Sequence, residues 1–80
     1  MLKLKIVSPE RFEFDGEVTS VFVPGTLGNF EILTDHAPII SSLEKGVVEY
    51  VSDTGEKKTL DINGGFVEVQ RNVVSLCVEI

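Results

Sequence analysis

The chain has 80 residues, enough for one domain with a single small core. Thirteen acidic residues against seven basic ones give a formal net charge of −6, which disfavours nucleic acid and anionic lipid as direct partners. The single cysteine, Cys77, and the single histidine, His36, exclude an intrachain disulfide and a zinc site of the usual Cys/His kind. No apolar run approaches the length of a transmembrane helix, about 20 residues, and the start of the chain lacks a signal-peptide stretch. We therefore expect a reduced cytosolic compartment and no cofactor or metal.

Apolar residues recur with period two along nearly the whole chain, which is the spacing of half-buried β-strands. In the first run, for example, Leu2, Leu4 and Ile6 alternate with lysines. Turn-forming residues separate the runs at Asp15-Gly16, Asp53-Thr54-Gly55, Asn63-Gly64-Gly65 and Arg71-Asn72. These boundaries predict strands at residues 2–7, 11–15, 17–23, 29–33, 38–43, 46–52, 56–62, 65–70 and 73–79. The prediction is an all-β fold, a flattened β-sandwich or barrel of about nine to ten short strands.

The third predicted strand carries apolar residues on both faces. Val18 and Phe22 alternate with Val21 and Val23, whereas a strand in a simple sandwich needs only one apolar face. We expect the second face to meet either the other end of a closed barrel or a different protein.

Residues 24–46 depart from the period-two pattern. Gly25 and Gly28 bracket Leu27, so an apolar side chain is predicted on an exposed turn. Farther along, His36-Ala37-Pro38 forms a polar bend ahead of Ile39. Apolar residues carried on loops are typical of a protein interface.

Residues 23–46, together with segments before and after them, contain a series of short motifs in a fixed order. The series is Val23-Pro24-Gly25, Gly28, Ile32, Asp35-His36-Ala37-Pro38-Ile39 and Glu44-Lys45-Gly46, with Leu4 to Glu10 before it and Asn63 to Val69 and Asn72 to Leu76 after it. In this order the chain resembles the epsilon subunit of F-type (rotary) ATP synthases over almost its whole length. It departs from that family at Glu31, where glycine is common, and at Thr34-Asp35, where Pro-Gly is common.

The resemblance implies an epsilon-type β-sandwich domain spanning residues 1–80, without the C-terminal helical hairpin of the family. It implies a non-catalytic subunit of the central stalk that turns with the rotor and couples proton flow to ATP synthesis. Its implied partners are the gamma subunit, the c-ring and, indirectly, the alpha/beta hexamer. Its implied location is peripheral, on the cytoplasmic side of the inner (plasma) membrane, where the complex holds it.

The resemblance also implies which residues make the contacts, and no catalytic residue is among them. For the c-ring these are Leu27, Gly28, Asn29, Phe30, Glu31, His36, Ala37, Pro38 and Ile39. For the gamma subunit they are Ser8, Leu43 and Val47.

Other interpretations of the same chain remain open. Carrier domains of the lipoyl or biotinyl type are also acidic, all-β and of similar length, but Lys45 and Lys57-Lys58 lack the Asp-Lys-Ala or Met-Lys-Met context of a modified lysine. An unrelated β-sandwich adaptor with the same apolar loop is a further alternative. A stand-alone enzyme is disfavoured, because Asp35-His36 beside Ser41-Ser42 has no nucleophile-elbow motif around either serine.

Single residues also have a structural interpretation beside the functional one. His36 is either a contact residue or a loop histidine that packs next to Pro38. Leu27 and Phe30 either dock on a partner or fold back into the core. Cys77 on its strand is typical of a small hydrophobic residue rather than a nucleophile.

Overall fold

Eight β-strands make up the part of the chain that this computed structural model describes, residues 1–10 and 13–80, and it contains no helix there. The strands are β1 (Leu2–Val7), β2 (Glu13–Val23), β3 (Phe30–Ile32), β4 (Ile39–Leu43), β5 (Gly46–Ser52), β6 (Lys57–Ile62), β7 (Gly64–Gln70) and β8 (Val73–Glu79). The all-β prediction is confirmed. Within the described residues, no helix has the length and apolar character needed to cross a membrane.

The strands form one mixed sheet in the order β4-β7-β8-β1-β2-β5-β6, and β3 pairs with β2 beside this path. β1 and β8 run parallel, and the other neighbouring strands run antiparallel. β2 is the longest strand and belongs to both halves of the sheet. Its first part pairs with β1, up to Val18 opposite Leu2, and its last part pairs with β3 and β5.

A β-bulge in β2 explains why the spacing of its apolar residues predicts two apolar faces. Val18 pairs with Ser52, but Ser20 pairs with Val51, so one extra residue lies on β2 between these pairs. A bulge of this kind shifts the alternation by one residue, so the side chains after it face the side opposite to the one that simple alternation predicts. It also bends the strand. Val18 and Val21 are therefore both fully buried. The expectation that they face opposite ways is wrong.

The core lies between the two halves of the bent sheet. One cluster joins Leu4 and Leu76 from one half with Val48 and Tyr50 from the other. The rings of Phe14 and Tyr50 span the halves with their centroids 4.9 Å apart. No polar or charged side chain is buried in the described part of the chain. Apolar burial, worth about 25 cal/mol per Å², is therefore the main term that holds the halves together.

The predicted turn at Asp15-Gly16 is wrong. Gly16 lies inside β2, opposite Leu4. A Cβ atom at Gly16 would lie 3.0 Å from the Phe14 ring, so the missing side chain leaves room for that ring. The predicted strands 11–15 and 17–23 thus belong to one strand, although residues 11–12 lie outside the described residues. This merger reduces the strand number from the predicted nine to the observed eight.

The predicted turns at Asp53-Thr54-Gly55 and Arg71-Asn72 are confirmed. The predicted reversal at Asn63-Gly64-Gly65 is wrong as a hairpin: both glycines have positive φ angles, but they begin β7, and β6 and β7 are not neighbours in the sheet. Arg71 and Asn72 join β7 to β8 with φ angles of 51° and 62°. Gly55 has a φ of 89° in the turn between β5 and β6, where its N–H donates to the carbonyl of Ser52 at 3.0 Å. Both connections reverse the chain between neighbouring antiparallel strands.

Candidate functional site

The turn that joins β2 to β3 presents Leu27 to solvent. Leu27 is 102% exposed, the highest value among the exposed large apolar side chains of the described residues. Two backbone hydrogen bonds fix the base of the turn to β4 and to the residue that follows it. Thr26 N–H donates to the carbonyl of Ser42 at 3.0 Å, and Glu44 N–H donates to the carbonyl of Pro24 at 2.9 Å. The turn therefore holds an apolar side chain away from the core on a backbone that is bonded to the sheet.

The rest of this candidate segment divides between solvent and core. Gly28, Asn29 and Glu31 are exposed. Phe30 is half-buried and packs against the core cluster, and a Cβ atom at Gly25 would lie 3.0 Å from its ring. Of the two apolar candidates, Leu27 is thus free to contact a partner, whereas Phe30 mainly supports the turn from below.

The loop between β3 and β4 brings the second candidate segment beside the first. The rings of His36 and Phe30 lie with their centroids 6.4 Å apart. His36 is half-buried, and its Nδ1 lies 2.8 Å from the carbonyl oxygen of Ala37. Ala37 and Pro38 are exposed, and Ile39 is partly buried against the core. The two candidate segments, residues 27–31 and 36–39, therefore form one continuous region around β3. We call this region the β3 end.

Sequence reasoning missed one residue of this region, Asn72. Its side chain accepts a hydrogen bond from the backbone N–H of Asp35 at 2.6 Å and donates one to Asp35 Oδ1 at 3.1 Å. The two residues are 37 positions apart, so no local pattern connects them. The one available signal was the Arg71-Asn72 turn, which predicted a reversal but not a contact.

The three residues predicted for the gamma side do not share one environment. Val47 is 42% exposed on β5, and Ser8 is half-buried after β1. Leu43 is 4% exposed and belongs to the core cluster. The Leu43 side chain therefore has almost no exposed surface with which to contact a partner.

Ser8 lines an open groove of about 500 Å³ on the outer face of the sheet. Val7 and Phe66 flank Cys77 there as its register partners on β1 and β7, and they are 49% and 50% exposed. Sequence reasoning missed this apolar row because its members come from strands that are distant in the chain. Cys77 lies half-buried within the row, an environment that fits a small hydrophobic residue.

A carboxylate beside this groove is held by hydrogen bonds. The hydroxyl of Ser8 donates to Glu10 Oε1 at 2.6 Å, and the backbone N–H of Ile80 donates to the same oxygen at 3.1 Å. The Ser8 bond foremost, and then the Ile80 bond, lower the pKa of Glu10 from its ordinary value of 4.5. The ionised carboxylate thus joins the segment after β1 to the end of β8.

The described residues supply no group for metal or carrier chemistry. In residues 1–10 and 13–80, no three His, Cys, Asp or Glu side chains lie where they could hold a metal ion together. Lys45 lies between β4 and β5, which are not neighbours in the sheet, so it is not at a hairpin tip. Lys57 and Lys58 begin β6, and Lys57 forms an ion pair of 3.0 Å with Glu49. None of these lysines has the placement of a carrier lysine.

Comparisons with known proteins agree on one family. The sequence profile of the ATP synthase delta/epsilon chain β-sandwich domain matches residues 1–80. The ATP synthase epsilon chain of Leptospira interrogans (serovar copenhageni) is 43% identical over 79 residues, which cover 98% of this chain and 61% of that protein. The epsilon chain of Chlorobium limicola is 42% identical over 77 residues, covering 96% of this chain and 88% of that protein.

A solved structure has the same fold. The match is to the central stalk and c-ring structure of the mitochondrial ATP synthase of Tetrahymena thermophila, with a TM-score of 0.79 and 18% identity, over 99% of this chain and 63% of that one. The chain spans 61% of the length of the Leptospira relative, so the match concerns the β-sandwich part of such proteins. On the profile match and these identities, the chain belongs to the family of ATP synthase delta/epsilon chain β-sandwich domains.

Proposed function

We propose that this chain is a non-catalytic rotor subunit of an F-type ATP synthase, linking the gamma subunit to the c-ring and coupling proton flow to ATP synthesis. The observation that carries the proposal is the family match along residues 1–80, together with relatives that are named ATP synthase epsilon chain. Torque transfer needs stiffness and contact area rather than a catalytic group. The continuous backbone pairing of the sheet provides that stiffness.

The β3 end is the proposed contact with the c-ring. Leu27 supports this assignment, because its exposed side chain stands on a turn that is bonded to β4. The exposed Glu31 adds a negative charge that can complement basic groups on partner loops. His36, Ala37, Pro38 and Ile39 complete this surface from the neighbouring loop.

The groove beside Ser8 is the proposed contact with the gamma subunit. Val7 and Phe66 line it with exposed apolar side chains, the kind of surface that is usually covered in an assembly. Val47, on β5 of this chain, is a further exposed apolar residue that we assign to the gamma contact. An interface of standard size buries about 800 Å² on each partner, a large share of so small a domain. Held between gamma subunit and c-ring, the chain is peripheral to the membrane on its cytoplasmic side.

Co-purification tests this function. We expect the tagged chain, expressed in cells with its own ATP synthase, to retain the gamma subunit and the c-ring after membrane solubilisation, as identified by mass. The tag alone is the control. Absence of both subunits from the purified material would contradict the proposal. An intact mass increased by a lipoyl or biotinyl group would favour a carrier domain instead.

A further inference from the structure

The β3–β4 loop is tied to the β7–β8 turn by one reciprocal pair of hydrogen bonds. Asp35 and Asn72 each have a left-handed backbone, with φ angles of 66° and 62°. The backbone N–H of Asp35 donates to Asn72 Oδ1 at 2.6 Å, and Asn72 Nδ2 donates to Asp35 Oδ1 at 3.1 Å. Each side chain thus satisfies a polar group of the other residue.

The pair compensates for a conformation that costs free energy. The left-handed conformation costs a residue other than glycine about 1–2 kcal/mol of conformational free energy, although Asn and Asp tolerate it better than most. The bond from Nδ2 ends on a carboxylate, and hydrogen bonds to charged groups are stronger than neutral ones. The Asp35 turn therefore depends on a partner from a distant part of the chain.

Asn72 itself is anchored in the sheet. Its carbonyl accepts a hydrogen bond of 2.8 Å from the backbone N–H of Lys3, at the start of β1. On the other side of the pair, the N–H of His36 donates to the carbonyl of Leu33 at 3.1 Å, closing the turn that Asp35 occupies. The connection thus runs from β1 through Asn72 and Asp35 to His36.

From this connection we infer that Asn72 is a positioning residue for the β3 end. Its side chain sets the Asp35 turn and, through that turn, the position of His36 beside Phe30. The inference rests on the proposed function, because it takes the β3 end as the surface that meets the c-ring. Asn72 itself touches no partner in this scheme and acts through the loop.

Hydrogen exchange in the purified chain tests the tether. Asn72→Gly removes the side chain and keeps a residue that accepts a positive φ, so we expect the amides of Asp35 and His36 to exchange at least about 10-fold faster. Amides of the core strand β8 should keep their rates. Arg71→Gly is the matched control, since Arg71 lies in the same turn with a φ of 51°. Unchanged exchange at Asp35 in Asn72→Gly would overturn the inference.

Swapping the Asp35 and Asn72 side chains tests whether the hydrogen-bonded pair can be restored. Asn72→Asp alone places two carboxylates together and removes the donor, so it should also speed exchange at Asp35. Asp35→Asn in the same chain restores a donor opposite an acceptor and should return the rate to within about 2-fold of the original. If exchange stays fast in the double variant while Asn72→Asp and the double variant are both folded, the specific pair is contradicted.

Coupling in the assembled ATP synthase separates this inference from the proposed function. We expect Asn72→Gly and Asn72→Asp each to lower proton-driven ATP synthesis at least about 2-fold, and Asp35→Asn added to Asn72→Asp to restore the rate that Asn72→Asp lowers. If synthesis is unchanged while Leu27→Asp lowers it, the positioning role fails and the rotor function stands. If the chain does not co-purify with the complex, the rotor function fails, whatever the exchange rates show.

Discussion

The backbone N–H of Thr26 donates a hydrogen bond of 3.0 Å to the carbonyl of Ser42, and this bond joins the two proposed contact surfaces. Thr26 belongs to the turn that carries Leu27, and Ser42 pairs across the sheet with Phe66, which lines the groove. The isolated bridge between Gly25 and Leu43 lies directly beside this bond. In the proposed assembly, a force on the Leu27 turn would reach the groove through the backbone hydrogen bonds of β4.

Leu27→Asp is expected to weaken coupling without unfolding the chain. The side chain is 102% exposed, so its loss removes no core packing, and surface changes of this kind alter stability by about 0.5 kcal/mol or less. An apolar anchor replaced by a charge should cost at least about 1.4 kcal/mol at the c-ring contact, a 10-fold loss of affinity. Urea unfolding of the chain and proton-driven ATP synthesis of the complex measure the two effects.

Thr59→Asp is the charge-matched control for this change. Thr59 is exposed on β6, outside both proposed surfaces, and the substitution adds the same negative charge. It should leave coupling as it is. Equal ATP synthesis by the Leu27→Asp complex and the original complex would count against the assignment of the turn to the c-ring.

Phe66→Ser is expected to weaken binding of the gamma subunit. Phe66 is 50% exposed and forms a side of the groove, so its ring is available to a partner. Aromatic residues in the centre of an interface often contribute about 2 kcal/mol or more, so we expect a loss of about 30-fold in affinity for the purified gamma subunit. Calorimetry or surface-immobilised binding measures it.

Ile40→Ser tests whether the groove itself matters. Ile40 is 74% exposed on the neighbouring strand β4, opposite Glu68, and it does not line the groove. Removing it changes the apolar surface of the same sheet without changing the groove. A similar loss of gamma affinity in both variants would contradict a contact centred on Phe66.

The sequence predicted most of the fold because its strands alternate cleanly. Leu2, Leu4 and Ile6 are each fully buried, as their spacing requires. It failed in β2 for two local reasons. Asp15-Gly16 has turn chemistry, but the ring of Phe14 occupies the space above Gly16, and the bulge after Val18 changes the face of the strand. Both features depend on β5, since the Phe14 ring packs on Tyr50 of that strand and the bulge arises in the pairing of β2 with it.

In the candidate surfaces too, the sequence predicts features set by neighbouring residues but not those set by contacts between distant segments. The exposed position of Leu27 follows from the glycines around it, which are its neighbours in sequence. The pair of Asp35 and Asn72 arises only after the β3–β4 loop and the β7–β8 turn meet at one end of the sheet. The apolar row of the groove likewise requires the register that places Cys77 between Val7 and Phe66. Contacts between distant segments have no local signature.

The Glu10 carboxylate predicts a pH-dependent part of the stability. Its pKa in the folded chain is lowered from 4.5, so the ionised form stabilises the fold at pH values above 4.5, and this contribution is lost as the pH falls through the lowered pKa. Glu10→Gln should therefore be less stable than the original chain at pH 7, and the difference should shrink as the solution is made acidic. Urea unfolding at a series of pH values measures it.

Ser8→Ala shows whether the hydrogen bond from Ser8 causes this effect. The Ser8 hydroxyl donates to the Glu10 carboxylate, so the two substitutions should be less than additive when they are combined. Full additivity at pH 7, or a Glu10→Gln effect that does not change with pH, would contradict this explanation.

Gly65→Ala is expected to destabilise the chain more than any surface change. Gly65 has a φ of 147°, and a methyl group there would overlap the carbonyl oxygen of Cys77 and lie 2.8 Å from Val78 Cα on β8. Gly55→Ala is the matched control, because Gly55 also has a positive φ, 89°, but no atom within 4 Å of the added methyl. Backbone strain alone should cost about 1–2 kcal/mol at Gly55, whereas strain plus overlap should cost about 3 kcal/mol or more at Gly65. A domain of this size is stable by only about 3–5 kcal/mol, so Gly65→Ala should leave a large unfolded fraction at 25 °C by circular dichroism. Equal unfolding midpoints for the two variants would mean that β7 and β8 can move apart at Gly65 without a loss of folding stability. That result would contradict the close approach of the two strands in the structure.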